Sequence, residues 1–453
     1  MLDKSVFKAY DIRGIYPTQL DEQGVYDVVQ AYVEVIKPKK VVVTRDVREH
    51  GPALQKSVIQ SFIDAGVDVI NGGLVSTEML YWAVATLGVD GGITISASHN
   101  PREWNGLNMT RRNAEPISGE TGMIEIKELA LKGHRVTTDK KGQIIQKDLL
   151  DDYAKFILSL VNISKIPKVK IVGHGNCGFQ AKVLERIIEI GKLPIEFSSI
   201  YGEPDGTFPI PHGHPNPLIP ENRREIIDEV VKQKADVGVS WDADGDRCFF
   251  IDEKGNFIEG YFTTAVLAKQ LLQNKSGKVI IDPRLIWASV DTIREAGGIP
   301  IISKPGMTLI AARMKQENAI FAGEMSSHFY FPETFYRDIG ILPLFKILEL
   351  MGSSGKKLSE IYAPYLAKYF TPGELNFTVA NKDEVIQLAE KKYGDGNIEH
   401  IDGLSVEYSD WRFNMRKSNT EPLLRLNIEA RSQKLMEERR DEVIAFINQN
   451  TKN

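Results

Sequence analysis

Three carboxylates stand at alternate positions in Trp241-Asp242-Ala243-Asp244-Gly245-Asp246-Arg247. Two like charges ~4 Å apart repel by ~4 kcal/mol at the effective dielectric of a protein surface, so three together call for a divalent cation. The competing readings are a solvated acidic turn and an EF-hand loop, in which Glu253 would fall at the twelfth position. An EF-hand needs glycine at its sixth position, where Arg247 stands, and helices on both sides, where strands are expected. Three protein carboxylates leave positions open on Mg2+, which suits an ion shared with a phosphoryl group.

A second chemical group lies at Ser96-Ala97-Ser98-His99-Asn100-Pro101. The run Gly91-Gly92-Ile93-Thr94-Ile95 before it reads as a short buried strand. Asn-Pro is a turn signal, and the residue before proline is pushed out of the helical region. Ser98 and His99 therefore sit on a tight turn at a strand end, where open α/β sheets bind ligands. Ser98 is a candidate nucleophile there; the alternative is a turn whose Ser and Asn cap their own backbone.

Two further stretches carry recognition chemistry. Arg416-Lys417-Ser418-Asn419-Thr420 gathers a guanidinium, two hydroxyls and an amide, a set that can cradle a phosphate or simply form a basic turn. In Gly323-Glu324-Met325-Ser326-Ser327-His328, Glu324, Ser326 and His328 alternate after a strand. In an extended segment they would share one face and suit a hydroxyl-rich ligand, although Glu324 and His328 could also pair with each other.

The elements that must position these groups alternate between helix and strand. Periodicity predicts helices over 24–36, 52–65, 77–87 and 123–132 and strands at 41–43, 67–70 and 91–95, a β-α-β-α-β order typical of a mostly parallel sheet. A second unit has helices at 149–161, 179–190 and 221–234 and strands at 169–172, near 195, at 237–240 and at 248–251. The Pro-, Gly- and His-rich 202–220 reads as a long loop. After a hairpin at 254–256, a third unit alternates helices 262–273, 286–296, 307–316 and 341–351 with strands 278–282, 299–302 and 319–322. Gly352-Ser353-Ser354-Gly355 reads as a loop. From about 370 the pattern changes to strands 375–379, 404–408, 411–414 and 424–428 with helices 382–393 and 433–448. The three α/β units are alike in size, with no strong sequence repeat between them.

A chain of 453 residues suggests three or four domains at ~100–150 residues each. A net charge of −5 gives no basic footprint, so nucleic acid is not an expected partner. Cys177 and Cys248 form neither a disulfide framework nor a zinc spacing, which fits a reducing compartment. The start of the chain carries charges where a signal peptide needs an apolar stretch, and no run approaches the ~18 apolar residues of a membrane helix. A cytoplasmic monomer without membrane association is expected, since no heptad or apolar stripe argues for assembly.

Taken together, KAYDIRG (8–14), TISASHNP (94–101), DADGDR (242–247), GEMSSH (323–328) and RKSNTEP (416–422) resemble, in content and order, the signatures of the α-D-phosphohexomutase family. The likeness is strongest to the bacterial phosphomannomutase/phosphoglucomutase branch and runs over essentially the whole chain. It implies three similar mixed-sheet α/β domains (1–148, 149–253 and 254–369) and a smaller C-terminal α+β domain (370–453) around a central active-site cleft. It implies a phosphorylated Ser98, one Mg2+ held by Asp242, Asp244, Asp246 and a phosphoserine oxygen, and Arg247 on that phosphate. Arg13 would lie near the reacting groups. Glu324 and Ser326 would grip sugar hydroxyls. Arg416, Ser418, Asn419 and Thr420 would hold the phosphate not being transferred, and Tyr10, Lys304, His328 and Arg425 complete the implied substrate contacts. The implied reaction interconverts hexose 1- and 6-phosphates through a hexose 1,6-bisphosphate.

The chain departs from this pattern at three places. Asn108 stands where the family usually carries a lysine, a candidate general acid/base. Met307 replaces a substrate-contacting histidine in Lys304-Pro305-Gly306-Met307, and Ser327 replaces a glycine. Arg284 also stands where a lysine is common. With Asn108 unable to move a proton, His328 is the leading proton-transfer candidate and His99 the second, because imidazole titrates near pH ~6.5. Losing a general base costs ~10²–10⁴-fold in rate. Phosphoglucosamine mutase is the rival enzyme; Met325 favours the mannose/glucose branch, since the glucosamine branch usually has glutamine there. The rival from another class is a catalytically impaired sugar-phosphate-binding protein.

Overall fold

The computed structural model describes residues 2–8, 11–273, 275–418 and 423–451. Tyr10, Asn419 and Thr420 of the expected site lie outside the described residues. The chain forms two compact units, Met1–Phe257 with Tyr330–Lys357, and Ile258–Phe329 with Leu358–Asn453.

The first unit holds two sheets. One is built from β1 (Ile12–Ile15), β2 (Lys40–Arg45), β3 (Asp68–Leu74), β4 (Gly91–Ile95), β5 (Trp104–Arg111) and β6 (Ile144–Gln146), in the order β1-β5-β4-β2-β3-β6. The second uses β7 (Val169–His174), β8 (Ile195–Ile200), β9 (Val237–Ser240), β10 (Phe249–Asp252) and β11 (Phe257–Ile258), in the order β11-β10-β9-β7-β8. The β2–β4, β2–β3, β7–β8 and β7–β9 pairs are parallel, as helix-linked strands must be. β3–β6 is parallel too, and the pairs β1–β5, β4–β5 and β9–β10 are antiparallel, so the mostly parallel sheet expected for the first domain carries antiparallel strands on one side and the sheets are mixed.

The second unit carries β12 (Lys278–Ile281), β13 (Ile299–Ile302), β14 (Phe321–Gly323) and β15 (Phe329–Tyr330), in the order β13-β12-β14-β15. Its other sheet contains β16 (Glu374–Thr378), β17 (Asn397–Glu399), β18 (Leu404–Glu407), β19 (Trp411–Lys417) and β20 (Leu423–Ala430), ordered β16-β20-β19-β18-β17 with every neighbouring pair antiparallel. This is the α+β pattern anticipated for the C-terminal part. The architecture is thus four-domained, three mixed α/β sheets and one antiparallel sheet.

Several elements correct the sequence reading. β1, β5, β6, β15, β17 and the helix Leu358–Leu366 had no counterpart in it. β5 escapes because Asn105-Gly106-Leu107-Asn108 lacks an alternating apolar pattern; it is a strand through pairing with β1 and β4. Gly106 is required there, since a Cβ would fall 2.1 Å from the Ile12 carbonyl oxygen. Gly352-Ser353-Ser354 is the last turn of helix Leu342–Ser354 rather than a loop. Ser353 and Ser354 donate their hydroxyls back to Glu349 and Leu350 carbonyls, and Gly355 (φ 66°) forms the left-handed cap. The helix expected over 221–234 opens with a 3-10 turn, Pro220–Arg223, and is α-helical over Arg224–Gln233.

One buried carboxylate ties three stretches of the first unit together. Glu78, in the first turn of helix Thr77–Thr86, accepts from Gln180 Nε2 (2.7 Å) and from the Gly340 backbone N–H (2.7 Å). Nearby, Trp241 Nε1 donates to the Gly340 carbonyl (3.0 Å), which fixes the 337–341 stretch against the strand end that carries the aspartates. Burial pushes Glu78 up to about 7, and these hydrogen bonds only partly offset it. A folded-state value above the unfolded one means that this group's contribution is fully present below pH ~4.5 and is lost as pH rises through ~7. Glu78→Gln should therefore flatten the fall in thermal stability between pH 4.5 and 8, a fall of at most ~3 kcal/mol. An unchanged pH slope in the variant would show that Glu78 is not its source.

Candidate active site

β4 ends at Ile95, and the chain turns at once through Ser96 to Asn100. Ser98 adopts φ 50°, a left-handed conformation that non-glycine residues rarely take and that costs of order 1 kcal/mol or more. Its neighbours enforce it. The Ser98 N–H donates to Ser96 Oγ (2.9 Å). Arg48, fully buried after β2, donates to the carbonyls of Ser98 (2.7 Å), Asn100 (2.7 Å), Pro101 (2.6 Å) and Trp104 (3.0 Å), and its Nε pairs with Asp46 (3.1 Å). Arg13 on β1 adds Nη1 to Asn100 Oδ1 (2.6 Å) while its Nε pairs with Asp11 (2.7 Å). Arg48 is not among the site residues expected from sequence. Its signal was a charged Asp-x-Arg directly after a buried apolar strand.

The aspartates occupy the turn between β9 and β10. Strands on both sides remove the EF-hand reading. All three are buried, and carboxylate oxygens from Asp242, Asp244 and Asp246 lie within 4.8 Å of one another. Asp244 Oδ1 is buried without a hydrogen-bond partner among the described residues, a costly state for a carboxylate that no cation meets. Burial, and then the charge of Asp246, push Asp244 above the usual carboxylate range, while a hydrogen bond from Ser98 pulls it down. The residues fit a hard cation: three converging oxygen donors in a water-poor pocket.

The serine turn and the acidic turn meet in this unit. Ser98 Oγ lies 3.1 Å from His99 Nδ1, and Arg247 Nη2 lies 3.1 Å from the same nitrogen. A guanidinium only donates, so Nδ1 accepts and the ring proton sits on Nε2. Arg247 is itself held by Asp242, with Nε 3.3 Å from Oδ2 and the backbone N–H 3.2 Å from Oδ1. The arrangement places one nearly buried guanidinium beside the serine hydroxyl and the acidic cluster.

In the second unit Glu324, Ser326 and His328 come together, but not as an extended face. Ser327 takes φ 64°, and bonds from Ser327 N–H to Glu324 O and from Glu324 N–H to His328 O close a tight turn between β14 and β15. The turn, not strand alternation, collects the side chains: Ser326 Oγ is 2.9 Å and Glu324 Oε2 3.4 Å from His328 Nδ1. Arg284 reaches Ser326 Oγ (3.4 Å) and Glu324 Oε1 (3.5 Å) from a double hold on Asp282. Lys304 is exposed, two residues before Gly306, whose N–H donates to Glu324 Oε1 (3.1 Å).

Arg416 and Arg425 face each other across β19 and β20 and share Glu374, at 3.3 and 2.8 Å. Burial pulls the Arg416 guanidinium below its usual range. Ser418 closes the strand pair through its N–H on the Leu423 carbonyl (2.9 Å). Arg416 Nε also lies 3.6 Å from Asp402 Oδ2, so two guanidiniums are held in place by two carboxylates, a fixed pair of donors suited to an anion.

Fold and site define a class: a four-domain α/β protein in which a constrained serine turn abuts an acidic cluster fit for a divalent cation. Residues 4–135, 151–255 and 259–369 match the families described as phosphoglucomutase/phosphomannomutase alpha/beta/alpha domains I, II and III, and residues 374–446 match the C-terminal domain of that series. The chain is 39% identical over 457 residues to a phosphomannomutase of Escherichia coli, covering 99% of this chain and 100% of that one. It is 38% identical to the phosphohexose mutases of Xanthomonas campestris pv. campestris, covering 97% and 98%. A crystal structure of a phosphoglucomutase/phosphomannomutase family protein from Burkholderia thailandensis superposes with a TM-score of 0.88 at 28% identity, over 100% and 99% of the two chains. The chain belongs to the phosphoglucomutase/phosphomannomutase family, a family of phosphotransferase isomerases.

Arg48 is the residue on which the serine turn rests. Arg48→Met should destabilise the protein by ~3–5 kcal/mol, since it leaves buried carbonyls and Asp46 without their donor. Denaturant unfolding checks this, and a loss under ~1 kcal/mol would show that the turn holds its shape without the guanidinium.

Proposed function

We propose that this chain is a Mg2+-dependent phosphohexomutase that interconverts the 1- and 6-phosphates of mannose, glucose or both, through a phosphorylated Ser98 and a hexose 1,6-bisphosphate. The observation that carries this reading is the meeting of Ser98 with Asp244, His99 and Arg247 in one buried site. The proposed domains are 1–148, 149–253, 254–369 and 370–453, and the proposed setting is the cytoplasm. Among the described residues no helix is long and apolar enough to cross a membrane.

Asp242, Asp244 and Asp246 would hold the Mg2+, with an oxygen of phosphorylated Ser98 as a further ligand. The bound ion would neutralise charge on the phosphoryl oxygens. The Ser98 turn fixes the direction of the Oγ–P bond, so that a free hydroxyl of the hexose phosphate approaches in line. As the new P–O bond forms to the sugar, the bond to Ser98 breaks and charge returns to Oγ. Arg247, anchored by Asp242, stands where it can stabilise that charge. His328, oriented by Ser326 and Glu324, is the proposed acceptor of the sugar hydroxyl proton. Glu324 and Ser326 take the roles of sugar-hydroxyl partners, with Lys304 and Tyr10 as further contacts. Arg416, Arg425 and Ser418, with Asn419 and Thr420, hold the phosphate that is not transferred. That grip directs binding energy to orientation at the reacting end.

Conversion of mannose 1-phosphate and glucose 1-phosphate to their 6-phosphates, with Mg2+ and a trace of glucose 1,6-bisphosphate, tests the reading. The parent should turn over and Ser98→Ala should lose ~10³-fold or more. Saturable binding of both sugars without isomerisation by the parent would instead favour a binding protein. His328→Asn should lower kcat ~10²–10⁴-fold while leaving thermal stability near that of the parent. A fall within twofold would move proton transfer to His99.

A further inference from the structure

Arg337 is a buried cation in the first unit whose role the reading above leaves open. It is 1% exposed, and its guanidinium has the Tyr81 side chain as its partner, with no carboxylate paired to it among the described residues. Its Cζ sits 3.8 Å from the centroid of the Tyr81 ring, itself buried. A desolvated guanidinium costs several kcal/mol unless something repays it, and one cation–π contact is worth ~2 kcal/mol. The adjoining cavity, lined by Glu78, Tyr153 and Phe156 among others, is ≈ 10 Å³. That is room for about one water, so no phosphate enters it.

The repayment is legible in the surroundings. The 337–341 stretch is pressed against the acidic turn: a Cβ on Gly340 would meet the Gly245 carbonyl oxygen at 2.2 Å and that of Arg247 at 2.9 Å. A carboxylate oxygen of Asp338 lies within 4.8 Å of one on Asp246. Asp338 and the three aspartates of the turn make four carboxylates in one buried region. Three other arginines of this site already have carboxylates of their own: Arg13 with Asp11, Arg48 with Asp46, and Arg247 with Asp242. Arg337 lies against Tyr81, and the Tyr81 hydroxyl accepts from Asn108 Nδ2 at 2.8 Å. Asn108 lies on β5, paired with Thr94 of the strand that ends in the serine turn.

We propose that Arg337 is a positioning residue for phosphoryl transfer. It holds Tyr81, and through it Asn108, in place, and adds fixed positive charge to the buried region of the acidic turn beside Ser98. The proposal rests on the mutase reading for its kinetic consequence only. Asn108 is the serine-side partner of Tyr81, so a cation placed at 108 could do the same work from the other side of the ring.

The test relocates the charge. Arg337→Met should lower kcat for hexose phosphate isomerisation ~10–100-fold with KM within about twofold, and Arg337→Lys should retain most of the rate. Adding Asn108→Lys should recover at least tenfold in Arg337→Met while changing the rate of the parent by less than twofold, which separates charge relocation from a gain in proton transfer. Equal losses in the Lys and Met variants, or no recovery in a folded double variant, would overturn the proposal. Thermal unfolding reads the same coupling without turnover. Asn108→Lys should lower Tm in the parent, where two cations would crowd one tyrosine, and should leave it unchanged or raise it in Arg337→Met. The same shift in both backgrounds would overturn the proposal. A parent that never isomerises a hexose phosphate would sink the mutase reading alone, and the unfolding cycle would still decide the place of Arg337.

Discussion

The buried concentration of negative charge at Asp242, Asp244 and Asp246 is the constraint to which the first unit answers. Three carboxylates in a water-poor turn repel one another, and no arrangement of apolar neighbours relieves that. The fold answers with arginines, each placed differently. Arg247 pairs with Asp242 and reaches toward the serine turn. Arg48 spends its donors on backbone carbonyls and so sets the shape of that turn. Arg13 braces the turn from β1 through Asn100. None of these neutralises the acids outright, which leaves the cluster short of positive charge. That deficit suits the cluster to a divalent cation.

Polar ties of the same kind hold the second unit. Glu429 on β20 accepts from the backbone N–H groups of Ile286 (2.7 Å) and Trp287 (3.2 Å), at the start of helix Trp287–Glu295, where an anion is favoured. Arg412 pairs with Glu429 (3.0 Å) and donates to the carbonyls of Pro283 and Arg284. These contacts lock the α+β sheet to the stretch that carries Arg284, and Arg284 reaches Ser326 and Glu324. Buried ion pairs add little net stability compared with packed apolar groups. Their use here fits the need to hold particular side chains at fixed positions.

Much of this was legible in the residues. The acidic triad, the serine turn and the interior helices and strands follow from periodicity, turn chemistry and charge density. The missed elements share a cause. β1, β6, β15 and β17 are short edge strands and β5 is an interior strand of mixed polarity, so it is pairing rather than any local pattern that makes each of them a strand. The 323–328 segment misled for a related reason: alternation suggested an extended face, whereas Ser327 in the left-handed region makes a turn that gathers the same three side chains. Arg48 carried only the local Asp-x-Arg mark and Arg337 none, because what each touches lies fifty and more residues away in sequence.

The three α/β sheets show one device that the sequence does not display as a repeat. After β2, Asp46 accepts from the Arg48 backbone N–H, and Arg48 crosses to the turn that follows β4. After β12, Asp282 accepts from the Arg284 N–H, and Arg284 crosses to the turn that follows β14. After β7, the Asn176 N–H bonds His174 Nδ1, and Asn176 crosses to the Trp241 carbonyl, at the turn that follows β9. In each case the first strand pairs in parallel with the second, so their ends lie side by side. A residue two places after that acceptor, two or three past the strand, is then placed to curl back and reach the neighbouring turn. The geometry fixes the spacing and the need for a donor, but not the donor's identity. Arginine, asparagine and arginine satisfy it, which is why the threefold likeness survives in structure where the residues have diverged.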